Sequence, residues 1–290
     1  MPKLVHLLIC LQGIASGQVG AAVGRALPAD CQVFLYRGVP PKGLRDPLLR
    51  YVCQQYRGKP RFLTLYDPID HVPVYSAYMF HKTDGLKTMD VPWMFEPQLS
   101  SITESAEMQP FVQGYRHQLL QEAQAVLEDY ANAVNFERGQ LNPDQHHDNP
   151  DDKAATYSLT NVVPQAPGFR TGPWNDYKEK IRQRLNNYCG GMAYVVTGIT
   201  LSGRMTWRDG KPRLAVPTLV WSAYCCPDYD HSAPVNIYHK LPAHAAYTHN
   251  IPGSGKVTEL SVQNLQNLLK QVTFVDKNFQ IFMDDCVQSP

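Results

Sequence analysis

Two segments carry side chains that could contact a phosphate. The first is Phe-Glu-Arg-Gly-Gln-Leu-Asn-Pro at residues 136–143, where Arg138 follows a carboxylate and precedes a carboxamide. A guanidinium is a planar fork of N–H donors that matches the oxygens of a phosphate. It also forms structural ion pairs, here with Glu137 or with an acid of the next loop. The sequence leaves both roles open for Arg138.

The second segment, residues 170–184, carries more basic than acidic side chains. Arg170, Lys178, Lys180, Arg182 and Arg184 stand against Asp176 and Glu179. Such an excess suits contact with a nucleic-acid backbone, and the candidate binding residues are Arg138, Arg170, Lys178 and Arg182. A charged outer helix face is the alternative interpretation, and it is the commoner one.

Two adjacent histidines lie in a polar segment. His146 and His147 have four aspartates around them: Asp144, Asp148, Asp151 and Asp152. Imidazole and carboxylate groups can act as a general base or bind a metal ion. We favour the simpler interpretation, a solvated surface loop. A second set, His239, His244 and His249, recurs at five-residue intervals that match neither one helix face nor one strand face, and it predicts a loop rather than a metal cage.

The chemical residues need elements to position them. The β-rich runs 61–67 and 71–80, separated by Pro68-Ile69-Asp70, predict a hairpin. A short strand that ends in a turn is predicted at 135–143, followed by a polar loop at 144–152 and a β-like segment at 155–165. Residues 171–188 predict a helix, since Pro173 suits the first helical position and apolar residues recur along one face.

The remaining elements follow from the same patterns. We predict a helix at 111–134, strands at 192–201 and 216–226, a long loop at 227–255 and a final helix capped by Ser261. No internal repeat or Ser/Gly linker divides the chain, so a single α+β domain is expected.

The start of the chain has the layout of a secretory signal peptide. Residues 1–17 combine a basic Lys3, the apolar run Leu4–Leu11 and small residues at Ala15 and Gly17. A buried N-terminal strand or helix is the alternative. We expect removal of residues 1–17, a domain over 18–290, and secretion.

Cysteine usage fits that expectation. Without residues 1–17, six cysteines remain: Cys31, Cys53, Cys189, Cys225, Cys226 and Cys286. An even number in a secreted chain favours disulfides over free thiols. Cys31–Cys53 is a plausible local pair, and the other four could connect the later half in several ways.

Composition excludes several classes of protein. The 290 residues contain 27 Lys plus Arg and 26 Asp plus Glu, a net charge of +1, which excludes a polybasic nucleic-acid coat and an acidic tail protein. The chain is 43% hydrophobic and 18% charged, so it can form a packed core. No window approaches the ~20 apolar residues of a membrane span.

The ordered motifs resemble those of the DNA/RNA non-specific endonuclease family. The family signature is a D-R-G-H strand end, a T-N-x-x-P-Q segment and a Trp-bearing helix. Its counterparts here are residues 137–140 (Glu-Arg-Gly-Gln), residues 160–165 (Thr-Asn-Val-Val-Pro-Gln) and Trp174. The similarity extends from about Cys31 to Cys286. It implies an α+β fold with a ββα-metal (His-Me finger) core inside a larger antiparallel sheet flanked by helices.

The resemblance also implies roles for site residues. In active members the motif His is the general base, an Asn at the start of the following helix binds Mg²⁺, and the motif Arg and a helix Glu assist. The corresponding catalytic positions here are Arg138 and Gln140, with Glu179 one residue beyond the helix-Glu position, which Lys178 occupies. Asn161 of the T-N-x-x-P-Q segment is also counted among the catalytic positions, since it could hold the backbone geometry of the site, which is equally a structural role. No metal ligand is expected at the Asn position, because Arg170 stands there; His146 and His147 remain as weak metal candidates.

These replacements predict impaired catalysis. A carboxamide such as that of Gln140 has no basic site near neutral pH, and a guanidinium has no lone pair for a metal. We therefore expect a secreted nuclease-fold protein that is inactive or weakly active and acts by binding DNA, RNA or a protein partner. The alternative is an active endonuclease that uses divalent metal at a rearranged site with His146 or His147 as base. A third interpretation is an extracellular structural or immune-associated protein without nucleic-acid contacts.

Overall fold

An eight-stranded antiparallel sheet forms the centre of the molecule. The computed structural model describes residues 21–44, 46–86, 90–112, 118–131, 134–253 and 255–287. The strands of the large sheet lie in the order β1-β2-β3-β4-β9-β10-β11-β12. They are β1 (Val23–Gly24), β2 (Arg50–Tyr56), β3 (Lys59–Asp67), β4 (Val72–His81), β9 (Met192–Arg208), β10 (Lys211–Cys225), β11 (Ala243–His249) and β12 (Thr258–Leu260).

Two small sheets and six helices complete the fold within the described ranges. β5 (Met94–Phe95) pairs with β6 (Gln109–Pro110), and β7 (Glu137–Gln140) pairs with β8 (Val162–Gln165). The helices are α1 (Pro97–Ser100), α2 (Gln118–Ala123), α3 (Pro150–Ala155), α4 (Pro173–Tyr188), α5 (Val235–Tyr238) and α6 (Val262–Val272). Short 3₁₀ turns lie at Ala29–Phe34, Tyr36–Gly38, Leu127–Asp129, Asp144–His146, Leu159–Asn161 and Met283–Cys286.

The β9–β10 hairpin is longer than the sheet that contains it. β9 pairs with β4 only over residues 192–198, and β10 pairs with β11 only over 219–225. Residues 199–218 therefore continue as a two-stranded extension, which we call the arm. Asp209 and Gly210 turn the chain at its tip with φ of 52° and 73°. An Asp-Gly pair with two positive φ values matches the right-handed twist of the strands it joins.

Apolar residues of the large sheet pack on both of its faces. One cluster joins the sheet to β8 and α4 through residues such as Phe80, Val163 and Trp174. The other joins it to α6 and the chain's last described turn through residues such as Leu265 and Phe282. The sheet is therefore a central layer, and α4 and α6 cover opposite faces.

Three disulfides connect these layers. Cys31–Cys53 is present as predicted. The four later cysteines, whose pairing the sequence left open, form Cys189–Cys226 and Cys225–Cys286. The first of these fastens the end of α4, and the second fastens the Met283–Cys286 turn to the end of β10.

The strong periodic elements agree with prediction. The 61–80 hairpin is β3–β4, the short strand at 135–143 is β7, and the helix at 171–188 is α4. Ser261 caps α6, because its side chain accepts a hydrogen bond from the Asn264 N–H.

Several weaker predictions are wrong. In place of a helix over 111–134 the structure has the short α2 and a 3₁₀ turn, with residues 113–117 and 132–133 outside the described part. The predicted loops at 144–152 and 227–255 contain α3, α5 and β11. The β-like segment 155–165 is a strand only from Val162.

The expected signal peptide, residues 1–17, lies outside the described residues. None of the described helices has the length and apolar character needed to cross a membrane.

Candidate functional site

A strand pair and a helix build the site that the motifs predict. β7 and β8 are antiparallel, with Arg138 opposite Pro164 and Gln140 opposite Val162. Gly139 allows this close packing, because a Cβ at that position would lie 1.9 Å from the Gln165 side chain. The first turns of α4 follow in the chain. β7, β8 and the start of α4 line a cleft of about 390 Å³, and Trp93 and Tyr157 also line it.

Three cations line this cleft: Arg138, Arg170 and Lys178. The Arg138 guanidinium lies over the Trp93 ring, 4.8 Å from its centroid. Burial lowers the pKa of Arg138, and the positive charge of Arg170 contributes in the same direction. The charge of Arg170 thus disfavours that of Arg138, and an anion in the cleft would offset this repulsion.

Gln140 is fixed by a neighbouring threonine. Its side-chain nitrogen donates to the Thr156 carbonyl oxygen at 3.0 Å and to Thr156 Oγ1 at 2.9 Å. The amide is thereby held in one orientation, and neither of its atoms can take a proton from water near neutral pH. At this position the cleft has a hydrogen-bonding group and no base.

The oxygen ligands of the cleft do not fit a divalent metal. Two carboxylates line it, Glu137 and Asp144, and both have partners. Glu137 Oε1 accepts the backbone N–H of Arg170 at 3.1 Å, and Asp144 Oδ2 accepts the Tyr157 hydroxyl at 2.8 Å. No group of three or more His, Cys, Asp or Glu residues in the described part of the chain is arranged to hold a metal ion. With three cations beside two engaged carboxylates, the chemistry of the cleft favours an anion.

Asn161 lies beneath the cleft rather than in it. It is fully buried, and its Oδ1 accepts the Asn142 N–H at 2.9 Å and the Ser76 hydroxyl at 2.8 Å. Its Nδ2 donates to the carbonyl oxygens of Asn142 and Thr156, both at 2.9 Å. These four bonds tie Asn161 to Ser76, to Asn142 and to Thr156, the residue that also holds the Gln140 side chain.

The two adjacent histidines are buried, so the prediction of a solvated loop is wrong. His146 Nδ1 lies 2.9 Å from the Tyr78 hydroxyl, and its Nε2 lies 3.0 Å from the Lys178 carbonyl oxygen. His147 Nε2 lies 2.7 Å from Asn142 Oδ1. Burial lowers the pKa of His146 to about 4 and that of His147 to about 3. Neither ring lines the cleft; both join packed segments together.

Glu179 and Arg182 also lie outside the cleft lining. They pair with each other on α4, with Arg182 Nε donating to Glu179 Oε2 at 2.8 Å. Arg182 further donates to the Thr83 carbonyl oxygen at 2.6 Å. One residue along a helix is a rotation of about 100°, which explains why Lys178 reaches the cleft and Glu179 does not.

The third histidine set forms no common site. His244 and His249 belong to β11, where a loop was predicted. His244 Nε2 lies 3.9 Å from a carboxylate oxygen of Glu259, and His249 packs near Tyr247.

Sequence reasoning missed the aromatic walls of the cleft. Trp93 and Tyr157 contact each other at a tilt, with ring centroids 5.3 Å apart, and Tyr130 and Phe136 also line the cleft. Asn175, in the first turn of α4, also faces it. Trp93 comes from a segment more than 40 residues before the motif, so nothing local could reveal it.

Comparison with known proteins agrees with this geometry. The profile of the DNA/RNA non-specific endonuclease family matches residues 45–279. The human "Endonuclease domain-containing 1 protein" is 30% identical over 230 residues, 77% of this chain and 43% of the human protein. The mouse protein of that name is 30% identical over 206 residues, 68% of this chain and 38% of the mouse protein. This chain thus spans less than half the length of these curated relatives.

A solved structure has a similar fold. One chain in the crystal structure of the EndoG/EndoGI complex aligns with a TM-score of 0.50 and 17% identity, covering 80% of this chain and 86% of that one. The expected ββα-metal core within a larger antiparallel sheet is confirmed, and β7, β8 and α4 are its ββα unit.

Proposed function

The chain belongs to the DNA/RNA non-specific endonuclease family, and from that premise we propose that it binds nucleic-acid phosphates in the β7–β8–α4 cleft with little or no cleavage. The observation that carries the proposal is Gln140, held by Thr156 where the resemblance places the general base. Loss of a general base typically lowers a rate ~10²–10⁴-fold.

The cations of the cleft support the binding half of the proposal. Family members of this type generally use a divalent metal to stabilise charge on a phosphate. Here Arg170, Arg138 and Lys178 supply positive charge directly to the same cleft. Guanidinium groups bind phosphate oxygens through paired hydrogen bonds, whereas they cannot polarise or deprotonate a water as a metal does. Binding without efficient hydrolysis is the expected result.

Secretion is part of the same proposal. Three disulfides are compatible with an oxidising compartment, where such bonds persist. The start of the chain supports this interpretation through the signal-like layout of residues 1–17.

The test is a nuclease assay on purified protein. Plasmid DNA and RNA are incubated with Mg²⁺ or Mn²⁺ and with an EDTA control, and binding is followed by fluorescence anisotropy at low salt. We expect the native protein to bind both nucleic acids and to cut neither. The double variant Gln140→His with Arg170→Asn should gain cleavage of at least tenfold over background that EDTA removes.

A matched control is Gln263→His with Arg25→Asn, the same two changes at exposed positions away from the cleft. It should gain nothing. EDTA-sensitive cleavage by the native protein would contradict the proposal, and His146 and His147 would then become the bases to substitute. Absence of binding to DNA and RNA at low salt would contradict the claim that the cleft binds phosphates.

A further inference from the structure

The arm exposes a large aromatic ring close to its tip. Trp207 is 68% exposed, whereas Trp174 and Trp221 are 2% and 3% exposed within the two cores. Met205 lies on the same strand and is partly buried. An indole in water at the end of a hairpin contributes little to the folded core, so its side chain is available to a ligand.

A groove lies beside this ring. It has a volume of about 750 Å³ and lies between the arm and the Leu127–Asp129 turn. Met205, Trp207 and Arg208 line it from the arm, and Val134 and Phe136 line it from the segment before β7. Phe136 also lines the Arg138 cleft, so groove and cleft are neighbours.

The arm carries positive charge on both strands. Arg208 and Arg213 pair with the buried Asp129, at 2.8 Å and 2.7 Å. Arg204 and Lys211 are exposed, and neither forms an ion pair with any described residue. The groove itself is lined by three acids, Glu128, Asp129 and Asp209, and by one cation, Arg208. Arg204 and Lys211 do not line the groove, so the cations available to a ligand lie on the strands of the arm outside it.

We propose that the arm is a stacking site for single-stranded nucleic acid, with an unpaired base on Trp207 and the adjoining phosphates held by Arg204 and Lys211 outside the groove. This rests on the proposed function and specifies its ligand. Bases in a duplex are stacked on one another, so only an unpaired base offers a free face to an indole. Arg204 and Lys211 provide the sequence-independent attraction for the backbone.

The test compares single and double strands under EDTA, which prevents cleavage. Binding of fluorescent oligo(dT), oligo(U) and a hairpin duplex of equal length is measured by anisotropy at several salt concentrations. The variants are Trp207→Ala, Trp207→Phe, Arg138→Ala and the control Phe274→Ala, which removes an aromatic ring that is fully exposed elsewhere. Circular dichroism confirms that each variant is folded.

We expect Trp207→Ala to weaken single-strand binding by roughly 5- to 100-fold, with less than a twofold effect on the duplex. Trp207→Phe should keep most of the affinity, and Phe274→Ala should keep all of it. Oligo(dT) and oligo(U) should respond alike, because stacking needs no 2′-hydroxyl.

The outcomes separate the two proposals. If the native protein binds no nucleic acid, the proposed function fails. If Arg138→Ala weakens binding while Trp207→Ala does not, the cleft proposal stands and the arm proposal fails. An equal loss for single strand and duplex would also overturn stacking, because a paired base offers no free face to the indole.

Discussion

At the scale of single residues, Glu96 has an environment that no local pattern reveals. Its side chain is 1% exposed, and neither carboxyl oxygen has a hydrogen-bond partner. Gln124 bonds only the backbone of Glu96, accepting its N–H at 2.9 Å and donating to its carbonyl oxygen at 2.7 Å. Burial raises the pKa of Glu96 well above its ordinary value, and Glu107 adds to the effect.

Substitution of Glu96 by Gln should therefore stabilise the protein increasingly as pH rises. The folded state holds a proton that the unfolded chain releases above about pH 4.3, so native stability falls with pH through this window. Gln removes that dependence, and the variant should gain up to about 1.4 kcal/mol per pH unit over the native protein. Urea unfolding at pH 4, 6 and 8 measures the difference.

The matched control for this experiment is Glu104→Gln, at an exposed carboxyl a few residues along the chain. Its free energy of unfolding should change with pH as that of the native protein does. If the free energy of unfolding of Glu96→Gln also followed the native pH dependence, the Glu96 carboxyl would be shown to ionise in the folded state.

The site residues show how far sequence reasoning can go at this scale. Arg138, Gln140, Arg170 and Lys178 share one cleft, and the ordered motif was enough to select them. The fixed orientation of Gln140 depends on Thr156, and the cation–π contact of Arg138 depends on Trp93. Both partners are set by tertiary packing, which spacing within a motif does not encode.

At the scale of elements, Glu259 joins α4 to β12. Its carboxylate accepts hydrogen bonds from Lys180, from Arg184 at 3.0 Å and from Lys240 at 2.8 Å. Burial opposes ionisation, but these three bonds lower the pKa of Glu259 to about 2. The Arg184 side chain is 2% exposed, so it depends on this carboxylate for charge compensation.

We expect Glu259→Gln to destabilise the fold by roughly 3 kcal/mol, because removal of one partner leaves a buried charge uncompensated. The contribution of Glu259 is complete above about pH 4.5 and is lost as pH falls toward 2, so the difference between the proteins should shrink there. Thermal or urea unfolding at pH 7 and pH 3 tests both statements. Glu128→Gln, at an exposed carboxyl, is the control, and an equal effect of both changes would refute the role of Glu259.

The prediction of one helix over 111–134 failed because bonds to the backbone interrupt the helix there. α2 ends at Ala123, and the next side chain, Gln124, bonds the backbone of Glu96 instead of solvent. Asp129 then accepts the Val126 N–H, which starts a separate 3₁₀ turn. Apolar spacing alone favoured one helix, but the long-range bonds of Gln124 to Glu96 and the local bond of Asp129 to Val126 interrupt it. Elements with a clean periodic face, such as α4 and α6, had no such competitor.

At the scale of the whole molecule, two buried histidines make the fold sensitive to acid. His146 and His147 are neutral in the folded state, with pKa values of about 4 and 3. Unfolded histidines bind protons near pH 6.5, so the unfolded state gains protons as pH falls from there toward 4. The free energy of unfolding should therefore decrease over this interval.

The Glu96→Gln variant is the right background for measuring this effect, because Glu96 acts in the opposite direction. In that background we expect the free energy of unfolding to drop by 2 kcal/mol or more, as an order of magnitude, between pH 7 and pH 5. Adding His147→Gln should flatten the dependence while lowering stability at pH 7. Adding His239→Gln, at an exposed position, should leave the pH dependence of the free energy of unfolding unchanged. If His147→Gln also left it unchanged, His147 would not be one of the groups that cause the acid sensitivity.

The disulfides at the end of β10 have a consequence for oxidative folding. Cys225 and Cys226 are adjacent, yet Cys225 packs with Cys286 in one core and Cys226 with Cys189 in the other. Neighbouring residues of an extended chain point to opposite faces, so the sheet separates the two sulfur pairs. Once the strands have paired, an exchange between the bonds would require a sulfur to cross a packed layer. The sheet thus keeps Cys225 and Cys226 apart, each on the face where its partner lies. In a chain oxidised before the sheet forms, nothing would separate them, and incorrect disulfide pairs could form.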